Sequence, residues 1–246
     1  MNLVIDIGNT LTKIAVFEGR QMQAFTRIEA INGGRIRQFI SENSLPDACI
    51  VSSVSIDPAE ITGLIDVDFP TLIFDQHTLL PFRNCYSTPE TLGKDRLAGI
   101  AAACNLFPKQ DVLVIDAGTA ITYDLLTASG DYLGGAISPG IRMRYKALHT
   151  FTGRLPLLEM VESADLTGRT TDESIHSGVL NGLGFEANGT VQRYLLEYPS
   201  MQIILTGGDY NYFDKQLKVK TFAAPNLVLE GLNFILSYNL EKKKPT

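Results

Sequence analysis

Two stretches of this chain repeat each other, and this internal repeat restricts the possible folds more than any other feature of the sequence. LVIDIGNTLTK begins at Leu3, and LVIDAGTAITY begins at Leu113. Each copy has the pattern of an apolar strand, a turn at Asp-x-Gly and a second strand. Because the copies lie about one domain length apart, the repeat predicts two similar domains rather than a solenoid. Chance is the alternative, since apolar strands that end in an Asp-x-Gly turn are common.

The two copies match in sequence but differ in charge. The matched pairs are Leu3 and Leu113, Val4 and Val114, Ile5 and Ile115, Asp6 and Asp116, Gly8 and Gly118, and Thr12 and Thr122. In this alignment Lys13 falls opposite Tyr123, so the first copy carries a basic residue where the second carries an aromatic one. The first loop is therefore suited to phosphate, and the second offers a carboxylate and hydroxyl groups.

Strand and helix patterns alternate through both halves of the chain, which indicates the α/β class. Apolar spacing predicts helices over 95–107 and 171–197 and a last helix over 227–240. Pro108 ends the first of these helices. We expect the domain boundary just after it, which gives domains of residues 1–110 and 111–246. Four glycines within 171–197 weaken a helix, unless they allow close packing or the approach of a ligand.

The composition argues against several classes of protein. A formal charge of −6 disfavours generic binding to nucleic acid or to an anionic membrane. No apolar run reaches the roughly 18 residues of a membrane span, and the N-terminus lacks the pattern of a signal peptide. The three cysteines are scattered and form no CxxC, which favours neither a disulfide framework nor a zinc site. We expect a cytoplasmic protein.

The loop of the first repeat could cradle phosphates. Asp6 follows a buried strand, where an ionised carboxylate requires a cation or hydrogen-bond donors. Gly8 permits close approach of the backbone, and Lys13 supplies positive charge. These features suit nucleotide phosphates with a magnesium ion. An ordinary hairpin capped by Asn9 and Thr10 accounts equally well for the same residues.

The loop of the second repeat carries Asp116 and Thr119. A carboxylate with nearby carbonyl groups suits a hard cation, and a threonine hydroxyl suits a phosphate contact.

A third candidate segment, GKDR from Gly93, lies between the repeats at the start of a predicted helix. Asp95 there is explained either as an ordinary residue of a helix N-terminus or as a base for a substrate hydroxyl. In the second case Arg96 would bind an anion through its guanidinium.

Two such hairpins one domain apart resemble the actin and sugar-kinase superfamily, in which two similar ribonuclease H-like domains flank an ATP cleft. Within that superfamily the chain resembles the type III pantothenate kinases, in the order and spacing of motifs over nearly its whole length. The motifs are DIGNTxxK at Asp6, GKDR at Gly93, IDAGTA at Ile115, GGAISPG at Gly134, TGRTTDESIHSG at Thr167 and LTGGD at Leu205. The resemblance implies two actin-like α/β domains. It also implies ATP-dependent phosphorylation of pantothenate to 4'-phosphopantothenate, the first step of coenzyme A biosynthesis.

The resemblance also implies roles for individual residues. The ATP-binding residues would be Asp6, Ile7, Gly8, Asn9, Thr10, Leu11, Thr12, Lys13 and Thr119. The pantothenate-binding residues would be Tyr86, Gly93, Lys94, Asp95, Arg96 and Thr171, with Asp95 as the catalytic proton acceptor. Asp116 would bind a monovalent cation, K+ or NH4+, in addition to the Mg2+ that accompanies ATP. The GGAISPG segment is expected to be a loop near the nucleotide.

The partners implied are ATP, pantothenate and a second copy of the chain. In such a homodimer Thr171, or its neighbour Thr170, would reach a substrate site shared between the copies; no nucleic acid and no membrane are expected. One alternative is a kinase for another small alcohol, against which the GKDR loop and Thr171 argue. The other is a non-catalytic ATP-binding regulatory protein, against which the presence of Lys13, Asp95 and Asp116 argues.

Overall fold

A computed structural model describes residues 1–8, 11–29, 32–43, 45–53, 63 and 69–243 of the chain. Within these residues the strands are β1 (Asn2–Ile7), β2 (Thr12–Glu18), β3 (Gln21–Ile28), β4 (Ala48–Ser53), β5 (Thr71–Ile73), β6 (Arg83–Asn84), β7 (Val112–Ala117), β8 (Ala120–Leu126), β9 (Asp131–Pro139), β10 (Gln202–Thr206) and β11 (Phe222–Ala223). The helices are α1 (Gly33–Glu42), α2 (Lys94–Leu106), α3 (Ile141–Thr150), α4 (Thr171–Glu197), α5 (Tyr210–Gln216) and α6 (Leu227–Lys243).

The chain forms two compact units. The first unit comprises Met1–Pro108, Gly130–Tyr132 and Asn226–Thr246. The second comprises Lys109–Ser129 and Leu133–Pro225. This arrangement differs from a division into residues 1–110 and 111–246, because the last helix belongs to the first unit.

Packing explains why α6 joins the first unit. A Cβ at Gly231 of α6 would overlap the carbonyl of Ala98 in α2, so the missing side chain lets the two helices pack at close range. Asn233 accepts a hydrogen bond from the Asn2 side chain at 2.8 Å and donates one to the Gly19 carbonyl at 2.8 Å. These buried polar contacts tie the end of the chain to its beginning.

The two units repeat one strand order. In the first unit the order is β3-β2-β1-β4-β5, with β1 antiparallel to β2 and parallel to β4. In the second it is β9-β8-β7-β10-β11, with β7 antiparallel to β8 and parallel to β10. The predicted α/β class with two similar units is therefore confirmed.

Each unit has its own apolar core. In the first, both faces of β1 are buried, with Leu3, Val4 and Ile5 fully enclosed. In the second, residues of β7, β8 and β10 pack with α3, α4 and α5. Helix α4 has the predicted bounds, and it begins with a capping box in which Thr170 and Glu173 satisfy each other's backbone groups.

Candidate active site

The first candidate element is the β1–β2 hairpin, which brings a carboxylate and an ammonium group to neighbouring strands. Asp6 lies at the end of β1, and its cross-strand partner is Lys13 on β2. The Gly8 amide donates to the Leu11 carbonyl at 3.1 Å, which closes the turn. Ile7 and Thr12 are buried and fix the hairpin to the core. Asn9 and Thr10 lie outside the described residues, so their predicted part in ATP binding stays a prediction.

The surroundings of Asp6 shift the pKa of its carboxyl. Its carboxyl has a pKa above the ordinary value, first because the group is buried. Lys13 opposes this shift, the negative charge of Asp95 adds to it, and a hydrogen bond from Ser52 opposes it. The carboxylates of Asp6 and Asp95 therefore influence each other within the first unit. Two acidic groups that interact electrostatically fit a hard cation such as Mg2+, which binds proteins through few carboxylates and keeps several waters.

The Asp95 segment begins helix α2. Oδ1 of Asp95 accepts a hydrogen bond from the Arg96 amide at 2.9 Å, while the side chain stays exposed to solvent. A Cβ at Gly93 would lie 2.5 Å from that same Oδ1. The glycine therefore makes room for this orientation of the carboxylate. An exposed carboxylate held in one orientation is suited to accept a proton from a substrate.

Lys94 anchors the same segment to the sheet. Its Nζ donates to the Ser53 carbonyl at 3.0 Å, and Ser53 is the last residue of β4. The preceding residue, Ser52, is the hydrogen-bond donor to Asp6. Strand β4 thus links the Asp95 segment to the Asp6 hairpin. Neither serine was among the residues predicted from the sequence, although two polar residues that end an apolar strand beside β1 were a usable signal.

Arg96 and Tyr86 form the other wall of this site. Arg96 is buried, and its guanidinium lies over the Tyr86 ring at 5.6 Å from the centroid. Tyr86 in turn stacks on Tyr132, with ring centroids 6.3 Å apart. A guanidinium held against an aromatic face is suited to bind an anion, and the predicted role of Arg96 stays a prediction.

The β7–β8 hairpin is the matching element of the second unit. Asp116 is the penultimate residue of β7, and its cross-strand neighbours are Thr122 on β8 and Thr206 on β10. Gly207 has φ of 89°, and a Cβ there would lie 2.5 Å from Oδ1 of Asp116. Glycine is required at this position for both reasons. Thr119, in the turn, is exposed.

The pairing of the strands corrects the sequence alignment of the two hairpins. Asp6 pairs with Lys13, whereas Asp116 pairs with Thr122. The residue equivalent to Lys13 is therefore Thr122, and the expected match to Tyr123 is wrong. The cause is turn length, because the β7–β8 turn is one residue shorter than the β1–β2 turn.

The GGAISPG segment is also corrected. Gly134–Pro139 belong to strand β9 rather than to a loop, and Gly140 precedes helix α3. The Gly140 amide donates to the Thr119 carbonyl at 3.1 Å. The segment therefore reaches the Asp116 hairpin as a strand end.

Thr171 lies at the start of helix α4 beside an open pocket of about 670 Å³ in the second unit. The lining residues are Leu148, Leu155, Gly168, Arg169, Thr170, Thr171, Ser174, Ile175 and Gly178. The Thr170 hydroxyl accepts a hydrogen bond from the Glu173 amide at 3.2 Å and so serves the helix cap. This assignment favours Thr171 over Thr170 for a contact outside the helix.

The described residues contain neither a membrane-spanning helix nor a cluster of metal-ligating side chains. Across the parts of the chain that the structure describes, no helix combines the length and apolar character that a bilayer crossing needs. The same residues contain no group of three or more His, Cys, Asp or Glu side chains arranged for a metal ion.

Comparison with known sequences assigns the chain to a family. The family model described as type III pantothenate kinase matches residues 2–193. The chain belongs to the type III pantothenate kinase family. A type III pantothenate kinase of Christiangramia forsetii is 44% identical over 97% of this chain and 99% of its own length. One from Bacteroides fragilis is 42% identical over 97% and 98%.

Solved structures agree on the fold. A candidate Baf family transcriptional activator from Campylobacter jejuni has a TM-score of 0.63 at 22% identity and covers 97% of this chain and 99% of its own. A candidate N-acetylmannosamine kinase from Listeria monocytogenes has a TM-score of 0.54 at 13% identity and covers 99% of both chains. These likenesses confirm the predicted actin-like fold.

Proposed function

We propose that this type III pantothenate kinase transfers the γ-phosphoryl group of ATP to the primary hydroxyl of pantothenate, which yields 4'-phosphopantothenate and ADP in the first step of coenzyme A biosynthesis. The observation that carries the proposal is the electrostatic interaction of the Asp6 and Asp95 carboxylates within one unit, with Lys13 as the cross-strand partner of Asp6 and Arg96 next to Asp95 in the chain. Family membership over nearly the full chain supports the same reaction. The enzyme would act in the cytoplasm, where ATP is available.

The β1–β2 hairpin would receive the phosphates of ATP. Lys13 supplies the positive charge, and the turn at Gly8 lets backbone groups approach closely. Thr119 is proposed as a contact of ATP from the resemblance to the family alone. Bound Mg2+ would neutralise phosphate charge. Asp6 is the side chain suited to face this ion. Burial and the charge of Asp95 both raise the pKa of its carboxyl, and a nearby cation would stabilise the ionised carboxylate.

Asp95 would act as the proton acceptor. As the pantothenate oxygen forms its bond to the γ-phosphorus, the bond from that phosphorus to ADP breaks and the hydroxyl proton moves to Asp95. Arg96 would pair with the pantothenate carboxylate, which the planar guanidinium can bind at two oxygens. Tyr86 holds the guanidinium from one face, and Lys94 keeps the segment attached to β4.

Asp116 would bind K+ or NH4+. Its cross-strand neighbours are Thr122 and Thr206, whereas Asp6 has Lys13 at the position equivalent to Thr122. Carboxylate and carbonyl oxygens are suitable ligands for such an ion.

The enzyme would be a homodimer in which Thr171 completes a shared pantothenate site. Gly178, Gly182, Phe185 and Gly189 lie on one face of helix α4 at spacings of three and four residues. Phe185 is 65% exposed, and a Cβ at any of the three glycines would meet no described atom within 4 Å. Each glycine costs about 1 kcal/mol of helix stability relative to alanine. Close packing of a second copy against this face would account for that cost.

A coupled assay tests the reaction. ADP formation from MgATP is measured with and without pantothenate, first in potassium and then in sodium. We expect turnover that requires pantothenate and is faster in potassium. Turnover with another small alcohol alone would favour a different kinase, and MgATP binding without turnover on any alcohol would favour a regulatory protein.

The dimer has its own test. Sedimentation should give twice the 27.0 kDa chain mass for the wild type and a monomer for Gly178→Leu/Gly182→Leu. Gly153→Leu is the control, because that glycine lies outside the helices and a side chain there also meets no described atom within 4 Å. Mixing Asp95→Asn with Thr171→Ala chains should restore part of the activity if the site is shared, and no recovery would contradict a shared site.

A further inference from the structure

A charged network in the second unit joins a strand and two helices next to the Asp116 hairpin. Nη2 of Arg144 on α3 donates to Ser138 Oγ on β9 at 2.8 Å and to Glu186 Oε2 on α4 at 2.7 Å. The Ser138 hydroxyl donates to the other carboxylate oxygen of Glu186 at 2.6 Å. Nε of Arg144 donates to the Pro139 carbonyl at 2.9 Å. The one guanidinium on α3 therefore contacts three groups on two other elements, β9 and α4.

The network is partly shielded from water, so its charged groups depend on well-aligned hydrogen bonds with one another. The side chains of Arg144 and Glu186 are 21% and 35% exposed. The fixed fork of arginine can serve a carboxylate, a hydroxyl and a carbonyl together, whereas the single ammonium of lysine cannot reproduce that arrangement. The contacts at Ser138 and Pro139 hold the end of β9 in one position.

That strand end touches the candidate nucleotide loop through backbone atoms. The amide of Gly140, the next residue, donates to the Thr119 carbonyl at 3.1 Å. A Cβ at Gly140 would overlap the carbonyls of Gly118 and Thr119, so the two backbone segments are in direct contact. A shift of the strand end must therefore move the 118–119 turn as well.

We propose that Arg144 and Glu186 are positioning residues for the nucleotide. They act through the Ser138–Pro139–Gly140 strand end on Gly118 and Thr119, and they touch no substrate themselves. This inference rests on the proposed function only in taking Thr119 as a contact of ATP.

The proposal predicts a loss of affinity for the nucleotide but not for pantothenate. Arg144→Lys keeps the charge but loses the fork, and Glu186→Gln keeps the shape but loses the charge. We expect each to raise the Kd of MgADP and the KM for ATP by about tenfold, less than the roughly 100-fold that a 1 Å misplacement can cost. The KM for pantothenate should stay within about twofold, since none of the candidate pantothenate-binding residues belongs to this network.

A matched control removes an ion pair that does not reach the hairpin. Lys215→Met breaks the exposed contact with Glu162, 3.0 Å long and in the same unit, and should leave both substrates unaffected. Thermal unfolding of all variants identifies any that fail to fold. If Arg144→Lys unfolds, Glu186→Gln carries the test.

The results separate the two proposals. An MgADP Kd within about twofold of wild type in folded Arg144→Lys and Glu186→Gln would overturn the positioning role, as would equal losses for both substrates. Absence of pantothenate phosphorylation by a wild type that binds MgADP would overturn the proposed function instead. In that case the MgADP affinities of the variants still decide the positioning role.

Discussion

The β1–β2 and β7–β8 hairpins share a backbone plan and differ in the charge that faces the aspartate. Each begins with a strand that ends in Asp-x-Gly and lies between an antiparallel and a parallel neighbour. Asp6 has Lys13 and Ser52 as its cross-strand neighbours. The equivalent neighbours of Asp116 are Thr122 and Thr206.

The two hairpins therefore share their backbone arrangement but not the charge next to the aspartate. The strand order is the same in both units, so the fold alone does not decide which aspartate receives a cation from the protein. One residue fewer in the second turn and one substituted side chain suffice to change the electrostatics. On our proposal the first hairpin carries a lysine in addition to facing the Mg2+ that accompanies ATP, and the second binds a monovalent cation from solution.

The largest expected effect comes from Asp95, the second carboxylate beside Asp6. Asp95→Asn should lower kcat by roughly 100- to 10,000-fold, the usual range for loss of a general base, with little change in MgATP affinity. Asp131→Asn is the control, because that carboxylate forms an ion pair with the exposed Arg83 and has no proposed part in the reaction. Steady-state kinetics and a binding titration measure both quantities, and unchanged turnover in Asp95→Asn would exclude it as the base.

Lys13→Met should come next in size. Loss of a charged hydrogen bond to phosphate should raise the KM for ATP roughly 10- to 100-fold. Thr122→Val, at the equivalent position of the other hairpin, should change it far less. Similar values for the two variants would remove the asymmetry that we draw between the hairpins.

Thr122→Lys tests the same asymmetry in the opposite direction. A lysine opposite Asp116 should replace the external cation, so the ratio of turnover in potassium to turnover in sodium should fall to about one. The ratio is measured at saturating ATP and pantothenate. An undiminished preference for potassium would show that the ion is not bound at Asp116.

Gly93→Ala should have a smaller effect, of about tenfold on kcat. The backbone of Gly93, with φ of −57°, accepts an alanine, but the new Cβ would displace the Asp95 carboxylate. The melting temperature should therefore change little while turnover falls. A loss of stability with normal turnover in the remaining folded protein would contradict this account.

The smallest effect concerns the pH dependence of stability. Because the pKa of Asp6 is above its ordinary 3.8 in the folded state, the folded chain holds this proton more tightly than the unfolded chain does. Stability is thus lost as the pH rises from 3.8 through the raised pKa. Asp6→Asn should melt at a higher temperature than wild type at about pH 7 and show almost no difference at about pH 3.5. A difference that does not grow with pH would mean that Asp6 is not destabilised by burial.

Local patterns predicted most of the fold. Helix α4 has its expected bounds because its start is set by a capping box, which is a local interaction. Strand β9 was missed because Gly134, Gly135 and Pro139 are poor strand formers, and tertiary packing overrides that preference. A Cβ at Gly135 would overlap the backbone of Tyr123 on the neighbouring strand, so close approach, rather than propensity, selects the glycine.

Local sequence patterns predicted less about which residues come together at the candidate site. The nearness of Asp95 to Asp6 depends on how α2 meets β4, through Lys94 and Ser53, and no spacing in the sequence encodes it. The resemblance to a family supplied that grouping. The strand register of the hairpins was predicted wrongly for a related reason. An alignment of identical residues does not show that one turn is one residue shorter than the other.

The return of helix α6 to the first unit has a consequence for how the chain folds as it is synthesised. Nearly all of the second unit lies between the two main parts of the first, so it can be complete before Leu227–Lys243 leave the ribosome. Until then the surfaces of α2, β1 and β4 that α6 covers remain open to solvent. The first unit, although it begins the chain, is therefore the last to close.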